Sequence, residues 1–98
     1  MKENSTRDSE KYIERKFNER VKALKGISFK FVPQFVSGIP DRIALIPTGI
    51  MFFAEIKSKG FRPSKLQLVW KAKLKKIGFE WYLIDSMESL NEVFKKYE

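Results

Sequence analysis

Two short apolar runs, Ile43 to Ile46 and Ile50 to Ala54, flank Pro47-Thr48-Gly49, a trio of residues suited to reversing the chain. Arg42 to Ile46 and Ile50 to Lys57 therefore read as the two strands of a hairpin. With Thr48 at the centre of the turn, Asp41 faces Glu55. Directly opposed side chains stand about 4.5 to 5.5 Å apart at Cβ, on the same face of the sheet. Strand side chains alternate, so Lys57 joins Glu55 on that face while Ile56 points the other way. Two carboxylates at such a separation repel unless a cation lies between them.

The flanking segments say how this hairpin is covered. Met1 to Asp8 is polar and predicts a frayed N-terminus, which leaves one domain over 9–98. From Ser9 onward, Ile13, Phe17, Val21 and Leu24 form a helical stripe, with Gly26 placed to end it. Ile27 to Val36 reads as a strand that Pro33 ends or bends, and Ser37-Gly38-Ile39-Pro40 as a loop. Beyond the hairpin, Ser64 is suited to cap a helix whose stripe is Leu66, Trp70, Leu74 and Ile77, stopped by Gly78. Phe79 to Ile84 is a strand, and Ser86 caps a last helix that presents Leu90, Val93, Phe94 and Tyr97. The order αβββαβα predicts an α/β fold in which a parallel pair lies beside an antiparallel hairpin in a mixed sheet covered by helices. Trp70, Trp81 and Tyr82 show no basic-aromatic interleaving and are read as core or dimer contacts rather than base-stacking groups.

Composition narrows the chemistry. The 98 residues contain neither cysteine nor histidine, which removes disulfides, thiolate zinc sites and histidine-based triads or metal sites. Hydrolysis by such a chain rests on carboxylates, lysines and a hard, oxygen-bound cation. The apolar runs are too short to span a bilayer and the polar N-terminus has no signal-peptide core, so a soluble chain is expected. The net charge of +8 is confined to one stretch. Between Glu55 and Glu80 there is no acid, while Lys57, Lys59, Arg62, Lys65, Lys71, Lys73, Lys75 and Lys76 supply eight positive charges. Such a run is the footprint of a phosphate-binding face or, alternatively, a lysine-rich solvated helix.

On spacing alone the hairpin charges support two readings. Asp41 and Glu55 suit Mg²⁺ or Mn²⁺, which bind through a few carboxylates, keep several waters and polarise phosphodiesters. Equally, Lys57 forms a plain ion pair and Asp41 is a turn residue following Pro40.

A wider pattern bears on the choice. Gly38-Ile39-Pro40-Asp41-Arg42, Phe53-Ala54-Glu55-Ile56-Lys57, Ser64 with Gln67, and Gly78 before a strand together resemble the VRR-NUC (virus-type replication-repair nuclease) domain, a branch of the PD-(D/E)xK restriction-endonuclease-like superfamily. The resemblance runs from about Ser9 to the end of the chain. It implies a restriction-endonuclease-like αβββαβ core with a C-terminal helix. It further implies that Asp41 and Glu55 ligate Mg²⁺ or Mn²⁺ together with the backbone carbonyl of Ile56. Lys57 orients or helps deprotonate the attacking water. A glutamate of the first helix is also expected near the metal. At ~100° per residue Glu10 falls about 25° from the centre of the apolar stripe and Glu14 about 65°. Glu10 is therefore preferred to Glu14, although a first-turn glutamate also suits a helix N-terminus with no further role.

Gln67 carries two readings as well: an active-site residue by resemblance, or the partner of Ser64 in a capping box. Lys59, Arg62, Lys65 and Lys71, with Lys30, are the candidate DNA contacts. Phosphate contacts carry no base code, so structure in the DNA is the expected target. Small stand-alone members of the family resemble Holliday-junction resolvases and work as homodimers. A phage origin, and with it a bacterial host cytoplasm, is the matching expectation. A general or flap-type nuclease of the same fold, and a non-catalytic basic DNA-binding module, are the alternatives.

Overall fold

The computed structural model describes residues 9–31 and 36–98; the N-terminal stretch Met1 to Asp8 and the strand-ending Pro33 lie outside them. Helix α1, Glu10–Ala23, begins at Ser9, whose side chain accepts from the Tyr12 amide at 3.2 Å. Its Ile13, Phe17 and Val21 recur at helical spacing and are all fully buried. The helix end differs from expectation. Lys25, not Gly26, takes the left-handed conformation, with φ 67°, and the Gly26 amide donates to the Val21 carbonyl at 2.9 Å. Gly26 serves closeness instead, because a Cβ there would lie 2.5 Å from the Leu45 carbonyl oxygen.

Strands β1 (Ile27–Lys30), β2 (Arg42–Ile46) and β3 (Ile50–Ile56), helix α2 (Lys65–Lys76), strand β4 (Glu80–Ile84) and helix α3 (Met87–Lys95) follow in the predicted order. The sheet runs β1-β2-β3-β4. Its first two pairings are antiparallel and the third, bridged by the α2 crossover, is parallel. In the hairpin Arg42 faces Ala54 and Ile46 faces Ile50, which puts Thr48 at the centre of the turn. Strand β1 pairs with β2 from Ile27 to Lys30, and residues 32–35 of the expected strand Ile27 to Val36 lie outside the described residues.

Alternation along the strands divides the core. Ala44, Ile46, Phe52, Ala54 and Ile56 face α1 and α3 and pack with Phe17, Leu90 and Phe94. Phe17, Phe52 and Phe94 meet edge to face, and Tyr97 stacks on Phe52 at 4.8 Å between ring centres. Phe53 and Trp81 face the other way, toward Leu74 of α2 with Trp70 and Phe79 packed around them. The stripe read on α2 is only partly used, because Leu74 is buried whereas Leu66 and Ile77 are exposed. A single helix, about 10 Å across, covers about two strands spaced about 4.8 Å apart, and its outer residues have no sheet beneath them. Trp81 is buried, consistent with a structural role. Among the described residues no helix is long and apolar enough to cross a membrane.

Candidate active site

The loop before β2 is fastened to α2. The indole Nε1 of Trp70 donates to the Ser37 carbonyl at 3.1 Å. Gly38, with φ 83°, passes so close to α2 that a Cβ would lie 2.6 Å from Leu66 Cγ, and Pro40 behind it is fully buried. These ties deliver Asp41 to the end of the hairpin. Its carbonyl accepts from the Phe31 amide at 2.7 Å, and its side-chain Oδ2 accepts from the Ile56 amide at 3.0 Å. The carboxylate therefore reaches across from the end of β2 to the end of β3.

Glu55 lies on the α2 face of the sheet with 1% of its surface exposed. One carboxylate oxygen, Oε2, accepts from the Gln67 side-chain amide at 2.9 Å and lies 3.6 Å from Lys57 Nζ. The other, Oε1, is buried without a hydrogen-bond partner among the described residues. Burial first, and the negative charge of neighbouring Asp41 second, push the Glu55 carboxyl from 4.5 up to about 7; Lys57 pulls the other way. The expected trio of Asp41, Glu55 and Lys57 is thus assembled on one face of the sheet.

Gln67 makes a capping box and also reaches Glu55. Its side-chain carbonyl accepts from the Ser64 amide at 2.8 Å, while the Ser64 hydroxyl accepts from the Gln67 amide at 3.1 Å, a complete capping box. The amide nitrogen of the same side chain is left to donate to Glu55. Capping needs an acceptor and Glu55 needs a donor, and a primary amide carries one of each.

The helix-one glutamates are arranged differently from the helical-wheel expectation that Glu10 is the better aimed at the sheet. Glu14 is the one that reaches it: its Oε2 accepts from Arg42 Nε at 3.1 Å, with Arg42 Nη2 at 3.0 Å and Lys30 Nζ at 3.4 Å. Glu10 is exposed at the first helical position. It precedes Glu14 by about 6 Å of helix rise, and Glu14 already meets the first residue of β2. Among the described residues no three acidic side chains gather into one group. Arg42, given no role from sequence, neutralises Glu14 and donates to the Ser28 hydroxyl at 3.3 Å. Its register opposite Lys30 was the available signal, since both cations fall on the face that α1 covers. For the same reason Lys30 stands across the sheet from Glu55.

The remaining candidate contacts follow Glu55 in the chain, on and before α2. Arg62 and Lys65 are exposed, Lys59 is exposed and lies 3.8 Å from Glu88, and Lys71 is turned onto the Trp81 ring at 5.1 Å. Two adjoining carboxylates, a buried oxygen lacking a donor and a nearby ammonium form a site of hard oxygens suited to a cation, with means to offset charge on a phosphate.

No family model matches the chain. It is 34% identical over 76 residues to nuclease p44, a provisional name, of Acyrthosiphon pisum secondary endosymbiont phage 1, which covers 78% of this chain and 82% of that protein. It also superposes on a solved VRR_NUC domain with a TM-score of 0.83 and 26% identity, covering 91% of this chain and 97% of that one. Fold, site and relatives agree, and the chain belongs to the VRR-NUC family of PD-(D/E)xK nucleases, in its small phage type.

Proposed function

We propose that this nuclease is a Mg²⁺- or Mn²⁺-dependent endonuclease that hydrolyses phosphodiester bonds in branched DNA, in the manner of a Holliday-junction resolvase. The observation that carries the reading is Glu55: a buried carboxylate with one unpartnered oxygen, placed against Asp41. Burying an acid beside a second one is costly unless a cation compensates them. Asp41, Glu55 and the Ile56 carbonyl would hold the ion. Glu10 is the helix-one candidate, because Glu14 is already compensated by Arg42 and Lys30. A bound divalent ion supplies Lewis-acid polarisation of the phosphate and a more acidic water.

The chain's own groups do the rest. Gln67 fixes the rotamer of Glu55 through its amide. Lys57, about a quarter exposed, holds its ammonium at the mouth of the site, where it orients the attacking water and offsets charge developing on the phosphate. Arg62 and Lys65, with Lys59, grip the sugar-phosphate backbone. A homodimer, with one site for each of two strands, is the assembly that matches this reading. A bacterial cytoplasm is the compartment where such a substrate is met.

A cleavage panel of four-way junction, flap, linear duplex and single strand, with and without chelator, tests the proposal. Preferential, chelator-sensitive cutting of the junction supports it. Equal rates on junction and linear duplex would reduce the reading to a general nuclease, and activity surviving Asp41→Ala would remove the metal site from the chemistry.

A further inference from the structure

The segment between β3 and α2 is held at both ends by the catalytic carboxylate. At one end Lys57 lies 3.6 Å from Glu55 and its amide donates to the Ile84 carbonyl at 3.1 Å. At the other, Ser64 and Gln67 close the capping box and Gln67 donates to Glu55. Between them the chain turns sharply, with the Phe61 amide donating to the Ser58 carbonyl at 3.2 Å and Gly60 at φ 92°. Phe61 stands on this turn with 64% of its surface exposed. Single exposed apolar side chains are common on protein surfaces. This one differs in its setting: it is a rigid aromatic on a short turn, with Lys59 and Arg62 exposed on either side and the catalytic centre at both ends. Lys59 makes a solvent-exposed pairing with Glu88 at 3.8 Å.

Cations that hold a phosphate backbone on both sides of a bare ring place that ring at the level of the bases. Inside an intact duplex the bases are stacked and closed to it. At a branch point the stacking is interrupted and a base face is available to an aromatic ring, which can also hold a step unstacked. We propose that Phe61 is the specificity-determining residue of the site, stacking on an unpaired or unstacked base at the branch and so setting which phosphate reaches Glu55 and Lys57. The inference rests on the nuclease reading above and names what makes a branched substrate the better one. Phe61 acts on binding geometry and takes no part in proton transfer.

The test uses the full chain as wild type, Phe61→Ala and Phe61→Trp. One measurement is kcat/KM on a four-way junction and on a linear duplex of the same sequence. The other is fluorescence of 2-aminopurine placed at the branch, titrated with protein in chelator so that no cleavage is needed. Loss of one base-aromatic stack corresponds to roughly a ten-fold change. The junction-to-linear ratio of kcat/KM is therefore expected to fall about ten-fold in Phe61→Ala and to return in Phe61→Trp, with the 2-aminopurine response lost and regained in step. An unchanged ratio, or a 2-aminopurine response that persists in Phe61→Ala, overturns the proposal. Wild-type protein that cuts neither DNA overturns the nuclease reading instead, and the fluorescence titration still decides Phe61.

Discussion

The side-chain amide of Gln67 donates to Glu55 Oε2 at 2.9 Å while its carbonyl oxygen caps α2 through the Ser64 amide. One side chain thus links the start of a helix to the buried carboxylate of the candidate site. Substitutions can separate the two duties. Gln67→Glu keeps a capping acceptor but turns a carboxylate toward Glu55, so cleavage should fall on the order of ten-fold or more with little loss of metal-bound stability. Gln67→Ala removes both contacts and should also cost about 1 kcal/mol through the lost cap. Thermal melts with divalent metal beside kcat measurements distinguish the two variants.

Glu55 makes the metal-free protein sensitive to pH. Its carboxyl titrates near 7 in the folded chain and near 4.5 when unperturbed. Between those values the folded state holds a proton that the unfolded chain has released. Stability from this group is therefore complete below about 4.5, declines as pH rises toward about 7 and is level above it. The full span is on the order of 3 kcal/mol. Melting in chelator at pH 5.5 and pH 8 should show the higher midpoint at the lower pH, and Glu55→Gln should flatten the difference. Equal slopes in wild type and Glu55→Gln would remove Glu55 as the source.

Asp41→Asn and Lys57→Ala test the chemistry directly. Each should lower kcat on the preferred DNA by at least about a hundred-fold without unfolding the chain. The amide oxygen introduced by Asp41→Asn can still accept from the Ile56 amide, and Lys57 is partly exposed. Calorimetric titration with Mn²⁺ should show binding lost in Asp41→Asn and retained in Lys57→Ala. A Lys57→Ala enzyme with unaltered kcat would remove the ammonium from the mechanism.

The Glu14 and Arg42 pair is a stability element on the opposite face of the sheet. Both side chains are mostly buried, at 21% and 12% exposed, so removing one leaves the other poorly compensated. Arg42→Ala should destabilise the chain by roughly 2 kcal/mol, whereas Lys30→Ala, whose side chain is 57% exposed, should stay within about 0.5 kcal/mol. Denaturant midpoints at fixed pH compare them.

DNA binding should weaken steeply with salt. Replacing Arg62 or Lys65 by Ala should flatten the slope of log affinity against log salt by about 1 each, with little change in melting temperature because both side chains are exposed. Filter binding on the junction over a salt series measures it.

The local features of this protein were legible in the chain itself. Thr48 as the turn centre set the hairpin register, Ser9, Ser64 and Ser86 marked helix starts, and alternation put Glu55 and Lys57 on one face. These depend on near neighbours and on the fixed periods of helix and strand. Every relationship that needs distance in three dimensions came instead from the packing. Lys25 takes the left-handed position at the end of α1, while Gly26 is pressed against Leu45. Glu14 outranked Glu10 as the residue reaching the sheet because a wheel gives direction around a helix and says nothing of where the sheet ends. Leu66 and Ile77 lost their place in the core to the finite width of one helix over two strands. Residue order alone was enough for the hairpin and for the acids and lysine on it. That Gln67 holds Glu55 was settled by the fold, because the contact depends on how the crossover helix lies against β3, which no local period records.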